Sequence, residues 1–171
     1  MSDTTDIAQV GATALTPGQL KQFETVHCLL LPIYNDILIL PNAAVAEIVP
    51  YTTPDTVIDT PEWFLGNLTW RDRPIPFISF ELASDGERGE VHKSSRVAVL
   101  NTLNGNHELP YIAVLSQGLP SLQIVRPNNI QFTDNPAGQR QSVKAYVNMN
   151  GMAAMIPDLD DLESRVLGLY I

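Results

Sequence analysis

The stretch from Phe64 to Phe80, Phe-Leu-Gly-Asn-Leu-Thr-Trp-Arg-Asp-Arg-Pro-Ile-Pro-Phe-Ile-Ser-Phe, constrains the fold most. It reads as two strands joined by a tight, charged turn. Phe64, Gly66, Leu68 and Trp70 share one side of the first strand, and Asn67, Thr69 and Arg71 the other, as a two-residue side-chain period requires. Arg71 therefore falls at a hairpin tip, within reach of a partner or a carboxylate. Pro74 and Pro76 each remove a backbone donor, which predicts an edge or a bulge for the second strand.

The same grammar runs through most of the chain. Thr25 to Leu31 and Ile37 to Leu40 are apolar runs around the turn-forming Tyr34-Asn35-Asp36. Their continuous apolarity predicts burial on both faces. Asn42 is placed to cap a short helical turn, after which Glu47 to Tyr51 extends. Thr52 to Glu62 carries Pro54 and Pro61 and reads as a loop. Strands follow at Arg96 to Thr102 and Leu109 to Ser116, around the hairpin signal Asn104-Gly105-Asn106. Leu119 to Val125, Asn129 to Thr133, Lys144 to Met149 and Met152 to Ile156 complete the set, with Asn150-Gly151 fitting a type I′ turn. A terminal helix has Asp158 as cap and Leu159, Leu162 and Val166 as its apolar stripe, with Asp161 and Arg165 spaced to pair and Gly168 as a stop. Many short strands with frequent turns predict barrels or sandwiches. The polar segment Ala83 to Ser95 reads as a linker between two β lobes. Residues 1–22 read as a flexible N-terminal tail, in which Thr16-Pro17-Gly18-Gln19 has the form of a helix start.

Composition removes several functions. Net charge is −9, from 19 acidic and 10 basic residues, and the basic residues are scattered. Such a surface repels phosphate backbones, so nucleic acid is not an expected partner. No apolar run approaches the ~20 residues of a membrane span, and Met1 to Asp6 lacks the basic start of a secretory signal, so a cytoplasmic protein without membrane insertion is expected. The single cysteine, Cys28, excludes an internal disulfide framework. Its neighbour His27 points to the opposite strand face, and His92 and His107 lie in linker and turn, so no metal site is expected. No nucleophile elbow, phosphate loop or dinucleotide fingerprint occurs, and neither catalytic residues nor cofactors are expected. Glu47 beside Ile48 and Arg71 beside Trp70 fit either a partly exposed ion pair or the charged rim of an apolar protein-binding groove.

Val45-Ala46-Glu47-Ile48, the loop to Pro61, Gly66-Asn67-Leu68-Thr69-Trp70-Arg71 and Ile75-Pro76-Phe77-Ile78 together resemble the CheW-like coupling domain of bacterial chemotaxis systems. The order and spacing agree over about residues 23 to 168, leaving 169–171 as a C-terminal end. The resemblance implies two interlocked five-stranded β-barrels with a short C-terminal helix. It also implies a non-catalytic adaptor between methyl-accepting chemoreceptor cytoplasmic tips, bound in an apolar groove between the barrels, and the regulatory domain of a CheA-type histidine kinase. It assigns partner binding to Val45, Glu47, Gly66, Thr69, Arg71 and Ile75, with Gly66 matching a glycine that lets the strand pass close to its neighbour. Asp72 and Arg73 replace the family's usual Gly after the arginine, and Ile112 to Ser116 departs from the usual second-lobe pattern. Asp72 is placed to pair with Arg71 or Arg73. These departures point to a specialised paralogue, with type IV pilus motility as its output. The alternative is a small β-barrel enzyme or ligand-binding protein with its site between the lobes.

Overall fold

The computed structural model describes residues 25–170; the tail and helix start expected over residues 1–22 lie outside them. The described chain runs β1 (Val26–Ile33), β2 (Asp36–Pro41), a 3-10 turn (Asn42–Ala44), β3 (Val45–Pro50), β4 (Phe64–Trp70), β5 (Arg73–Ile78) and α1 (Phe80–Ala83). It continues with β6 (Arg96–Asn101), β7 (Tyr111–Ser116), β8 (Ser121–Val125), β9 (Ile130–Thr133), β10 (Val143–Met149), β11 (Met152–Pro157), α2 (Leu159–Leu167) and a 3-10 turn (Gly168–Tyr170). The strands form two sheets. One has the order β8-β1-β2-β11-β10-β9, the other β3-β6-β7-β5-β4. The protein is thus mainly β, with a short C-terminal helix. One sheet has the five strands expected; the other has six.

The lobes interlock. The N-terminal hairpin β1–β2 belongs to the sheet otherwise built from the second half of the chain, and β11 reaches it in parallel at Met155↔Leu38. The polar segment 83–95 does not divide the lobes, because β5 before it and β6 after it lie in one sheet. Its polarity reports exposure, not a lobe boundary. The chain changes sheets instead between β2 and β3, and again between β7 and β8.

Each sheet curls over a core of its own. Cys28, Leu30, Ile39, Val147, Met149 and Ala154 fill the six-stranded sheet, and Leu68, Trp70, Phe77, Val97, Val99 and Leu115 the five-stranded one. A third core lies between the sheets, where Leu31, Leu38, Phe64, Phe80, Val114 and Met155 meet Leu162 and Val166 of α2. The double burial expected of β1 follows from this: alternate residues serve different cores. β5 is not the edge that its prolines predicted. It sits between β4 and β7, but its parallel pairing with β7 starts at Phe77↔Ala113, beyond Pro74 and Pro76. The missing donors fall where no β7 neighbour needs them.

Buried polar groups tie the layers. Ser79 caps α1, and Glu81, 1% exposed, accepts from the Tyr34 backbone N–H at 2.8 Å and the Ser79 hydroxyl at 2.7 Å. The Glu81 carboxylate thereby joins the β1–β2 turn to the end of β5. Two arginines converge on the C-terminal end of α1, where the backbone carbonyls point outward. Arg140 donates to the Ser84 carbonyl and hydroxyl and to Asp36. Arg165 donates to the Ala83 carbonyl and stacks over Trp63 at 4.7 Å. The expected Asp161–Arg165 pair is replaced by a relay, in which the Ser142 hydroxyl donates to Asp161 and accepts from Arg165, each at 2.6 Å. Asp158 caps α2 as expected, whereas Asn42 makes no side-chain cap. Phe80 is fully buried in the shared layer. Phe80→Ala is expected to cost about 3–5 kcal/mol, read as a lowered urea midpoint at unchanged slope.

Candidate partner-binding site

β3 and β4 are the two edges of the five-stranded sheet, and no backbone ladder joins them. Its curl nevertheless brings Val49 and Tyr51 from the β3 side and Leu68 and Trp70 from β4 onto one core. Side chains bridge the seam. Trp70 faces inward, edge-on to Tyr111 at 4.8 Å, and its Nε1–H donates to Glu47 Oε2 at 2.9 Å. Arg71 Nη2 donates to the same oxygen at 3.1 Å, with its guanidinium 4.6 Å from the centre of the Trp70 ring. A bulge between Val45 and Glu47 shifts the β3–β6 register; an extra residue of this kind re-aims the side chain that follows it.

The turn explains how the arginine stands. Arg71 and Asp72 both take left-handed backbone conformations, φ +47° and +60°, the geometry of a two-residue type I′ hairpin. Asp tolerates that region better than most residues. Asp72 therefore fills a conformational need where the CheW-like pattern has Gly, and the partner of Arg71 is Glu47, not Asp72. The Arg71 side chain remains 68% exposed and that of Glu47 40%. An ion pair this open contributes about 0–1 kcal/mol to folding. The guanidinium is thus positioned without being consumed. Arg140, by contrast, is 21% exposed and spends its donors on Asp36 and Ser84.

The remaining sequence-assigned residues separate into outward and inward sets. Thr69 is exposed on the outward face of β4, opposite to the face of Trp70. Val45 is half-buried against the inter-sheet core. Ile75, 3% exposed, lies inside the five-stranded core and offers a partner nothing. The prolines on either side of it hide the strand's alternation from a sequence reading. Gly66 is also inward, and its part is in the backbone. At φ +130°, a Cβ there would stand 2.2 Å from the Asp55 carbonyl oxygen. This is the close passage that the resemblance implied, and the neighbour is Asp55, paired with Asn67 by two backbone bonds of 2.9 Å.

A polar depression of about 440 Å³ opens at the rim of the inter-sheet layer, between the β1–β2 turn and residues 85–87, with Arg140 in its wall, while the apolar layer itself is packed. An apolar depression there, lined by Leu100, Ile112, Leu159 and Leu162, holds only about 10 Å³. Among the described residues no three His, Cys, Asp or Glu side chains converge as metal ligands do. Burial pushes the Cys28 thiol up from its ordinary value, away from the reactive thiolate, and does the same to the Tyr170 phenol. No helix among the described residues is long and apolar enough to cross a membrane. The sequence reading missed the Trp70 N–H as the third member of the cluster. Its signal was the Trp-Arg pair at a strand end opposite a lone strand glutamate.

The class defined by these features is a two-lobed, mainly β domain whose one edge seam is bridged by a carboxylate and carries a projecting arginine. The CheW-like domain family matches residues 27–166, and the chain belongs to that family. A solved structure of similar fold is the scaffolding protein TtCheW from Thermoanaerobacter tengcongensis, at 16% identity and a TM-score of 0.65, covering 77% of this chain and 83% of that one. No curated protein matches the sequence.

Gly66→Ala brings both a strained φ and a clash with backbone. It is expected to destabilise the protein by about 2 kcal/mol or more, measured by chemical denaturation, and a neutral result would contradict the reading of this crossing.

Proposed function

We propose that this protein is a non-catalytic coupling adaptor of a chemotaxis-type pathway, linking methyl-accepting chemoreceptor tips to the regulatory domain of a CheA-type histidine kinase. Membership of the CheW-like family supports the adaptor class. The observation that carries the reading for this chain is the Glu47–Trp70–Arg71 cluster, which fixes a guanidinium at a seam while leaving 68% of its side chain exposed. Arg and aromatic side chains are the residue types enriched where proteins bind one another. Charge at such a rim sets orientation and specificity more than bulk affinity. Val45, Glu47, Thr69 and Arg71 form the proposed contact set, and Gly66 and Ile75 act beneath it by shaping the hairpin. A type IV pilus output is the narrower form of the proposal. It rests on the departures at Asp72 and at Ile112 to Ser116, of which Asp72 now has a conformational explanation. The enzyme or ligand-carrier alternative needs a pocket between the lobes; the apolar layer there is filled by side chains, which leaves that reading only the polar depression of about 440 Å³ where Tyr34 and Asp36 of the β1–β2 turn face Asp85, Glu87 and Arg140.

Arg71→Glu places a second carboxylate beside Glu47 of β3 at a largely exposed seam, where the fold has little at stake. The test is titration of receptor cytoplasmic tips and of the kinase regulatory domain from the same organism. Binding by the unsubstituted protein and a tenfold or greater loss in the variant, with an unchanged circular dichroism spectrum and urea midpoint, is expected. No binding by the unsubstituted protein, or equal binding by both, would contradict the proposal.

A further inference from the structure

Val45, Leu100 and Ile112 lie side by side across β3, β6 and β7, on the face that meets α2. Leu159 and Leu162 face Leu100 and Ile112 from the helix, and Thr102 lines the crevice with them. At about 10 Å³ it has barely the room of one water. One side chain crosses from loop to helix beside it. Asn104, between β6 and β7, donates from Nδ2 to Asp160 Oδ1 and Glu163 Oε2, each at 3.0 Å. Those acids directly follow Leu159 and Leu162 on α2. Glu163 is 2% exposed, and this neutral amide is its one side-chain hydrogen-bond partner among the described residues. A carboxylate buried without a cation carries a desolvation cost that contact with water removes. The loop itself has little to hold it down. Leu103 is 57% exposed, Asn104 and Gly105 are exposed, and a Cβ on Gly105, at φ +63°, would meet nothing within 4 Å. Its ends are fixed, because Thr102 bonds Leu109 and Pro110, and Asn106 accepts from Glu108 and Leu109. The movable part is therefore 103–105, and a segment with so few buried contacts opens locally at low cost.

We propose that residues 103–105 are a flap fastened by Asn104, and that the partner helix which displaces it carries an apolar anchor for the crevice and a Lys or Arg for Asp160 and Glu163. The inference rests on the coupling function proposed above, with the chemoreceptor tip as the occupant. The anchor follows from the lining, since Leu100, Ile112, Leu159 and Leu162 offer a partner only aliphatic surface. Val45, opposite Leu100, makes that surface continuous with the proposed contact set. The cation follows from charge. When Asn104 withdraws, two carboxylates are left at the lip without their donor. A Lys or Arg replaces the neutral amide by a charge-assisted bond, the stronger kind. A helix sets an anchor and a cation side by side at a spacing of three or four residues. The same lip repels an acidic helix, so charge selects among partners. A net charge of −9 on each copy opposes a second copy of this chain as the occupant. A partner that binds only the open form has its affinity reduced by the fraction that is open, so the Asn104 clasp sets the affinity.

Two substitutions separate a flap from a merely structural contact, because they move binding in opposite directions. Asn104→Ala frees the flap and is expected to tighten receptor-tip binding about threefold or more. Glu163→Gln keeps an acceptor for Asn104 but removes the charge, and is expected to weaken binding about tenfold. A second arm needs no receptor. Ile112→Cys places a thiol in the crevice wall, with buried Cys28 as the slow internal reference. Adding Asn104→Ala is expected to speed labelling at position 112 by a small thiol reagent about tenfold, at a rate that dilute urea leaves unchanged, as local opening requires. Equal labelling with and without Asn104 overturns the flap, whatever binds. Receptor-tip binding that both substitutions weaken, or that neither changes, overturns the inference and leaves the coupling function standing. Faster labelling with no tip bound by the unsubstituted protein overturns the partner assigned here together with that function.

Discussion

Both sheets must curl, because each has to enclose a core with one face and share a layer with the other sheet. That demand follows from residues such as Leu30 and Leu31, neighbours on β1 that are buried in different cores. Curling brings the edges of a sheet toward one another and leaves a seam whose backbone groups have no ladder. The two seams are treated differently. Glu47, Trp70 and Arg71 bridge one with side chains. The other is fastened only beside its turn, by Asn129. The seam with the charged bridge is the one proposed above as the partner-binding surface.

Three arginines show how burial separates a structural cation from an exposed one. Arg140 and Arg165 reach carbonyls at the end of α1 and bind loop, helix and sheet into one body. Arg140 engages all three of its guanidinium nitrogens and Arg165 its Nη1, and removing either leaves buried acceptors unpaired, at a cost of about 1–3 kcal/mol per group. Arg71 holds one carboxylate oxygen and stacks on one ring, with most of its surface in water. What it contributes is a fixed charge at a fixed place, with little stability attached.

Much of this was legible because strands with one buried face announce themselves. The alternation in β4 and β10, the Asn35 and Asn150-Gly151 turns, and the Asp158 cap all appear where local chemistry demanded them. What escaped depended on sheet order. Pro74 and Pro76 forbid a neighbour only where one would pair, and sequence does not say that β7 begins its pairing at Phe77. The polar run 83–95 revealed exposure but not that both its ends share a sheet. Ile75 was assigned to the partner surface by the resemblance, and its strand, with Ile75 to Ile78 all buried, has no alternation that would have shown it to face inward. Glu47 and Arg71 were identified as a pair, but the indole between them, and the turn that makes Asp72 a conformational choice, needed coordinates.

The central claim is that Glu47 serves the partner-binding surface by fixing Arg71 rather than by holding the fold. A double-mutant cycle of Glu47→Gln and Arg71→Ala, read in affinity for the kinase regulatory domain and receptor tip, tests it most directly. The account predicts a coupling of about 1 kcal/mol or more in binding, with each single variant changing the unfolding free energy by less than about 1 kcal/mol. Binding effects that add within about 0.5 kcal/mol, or a coupling that appears in stability instead, would contradict it.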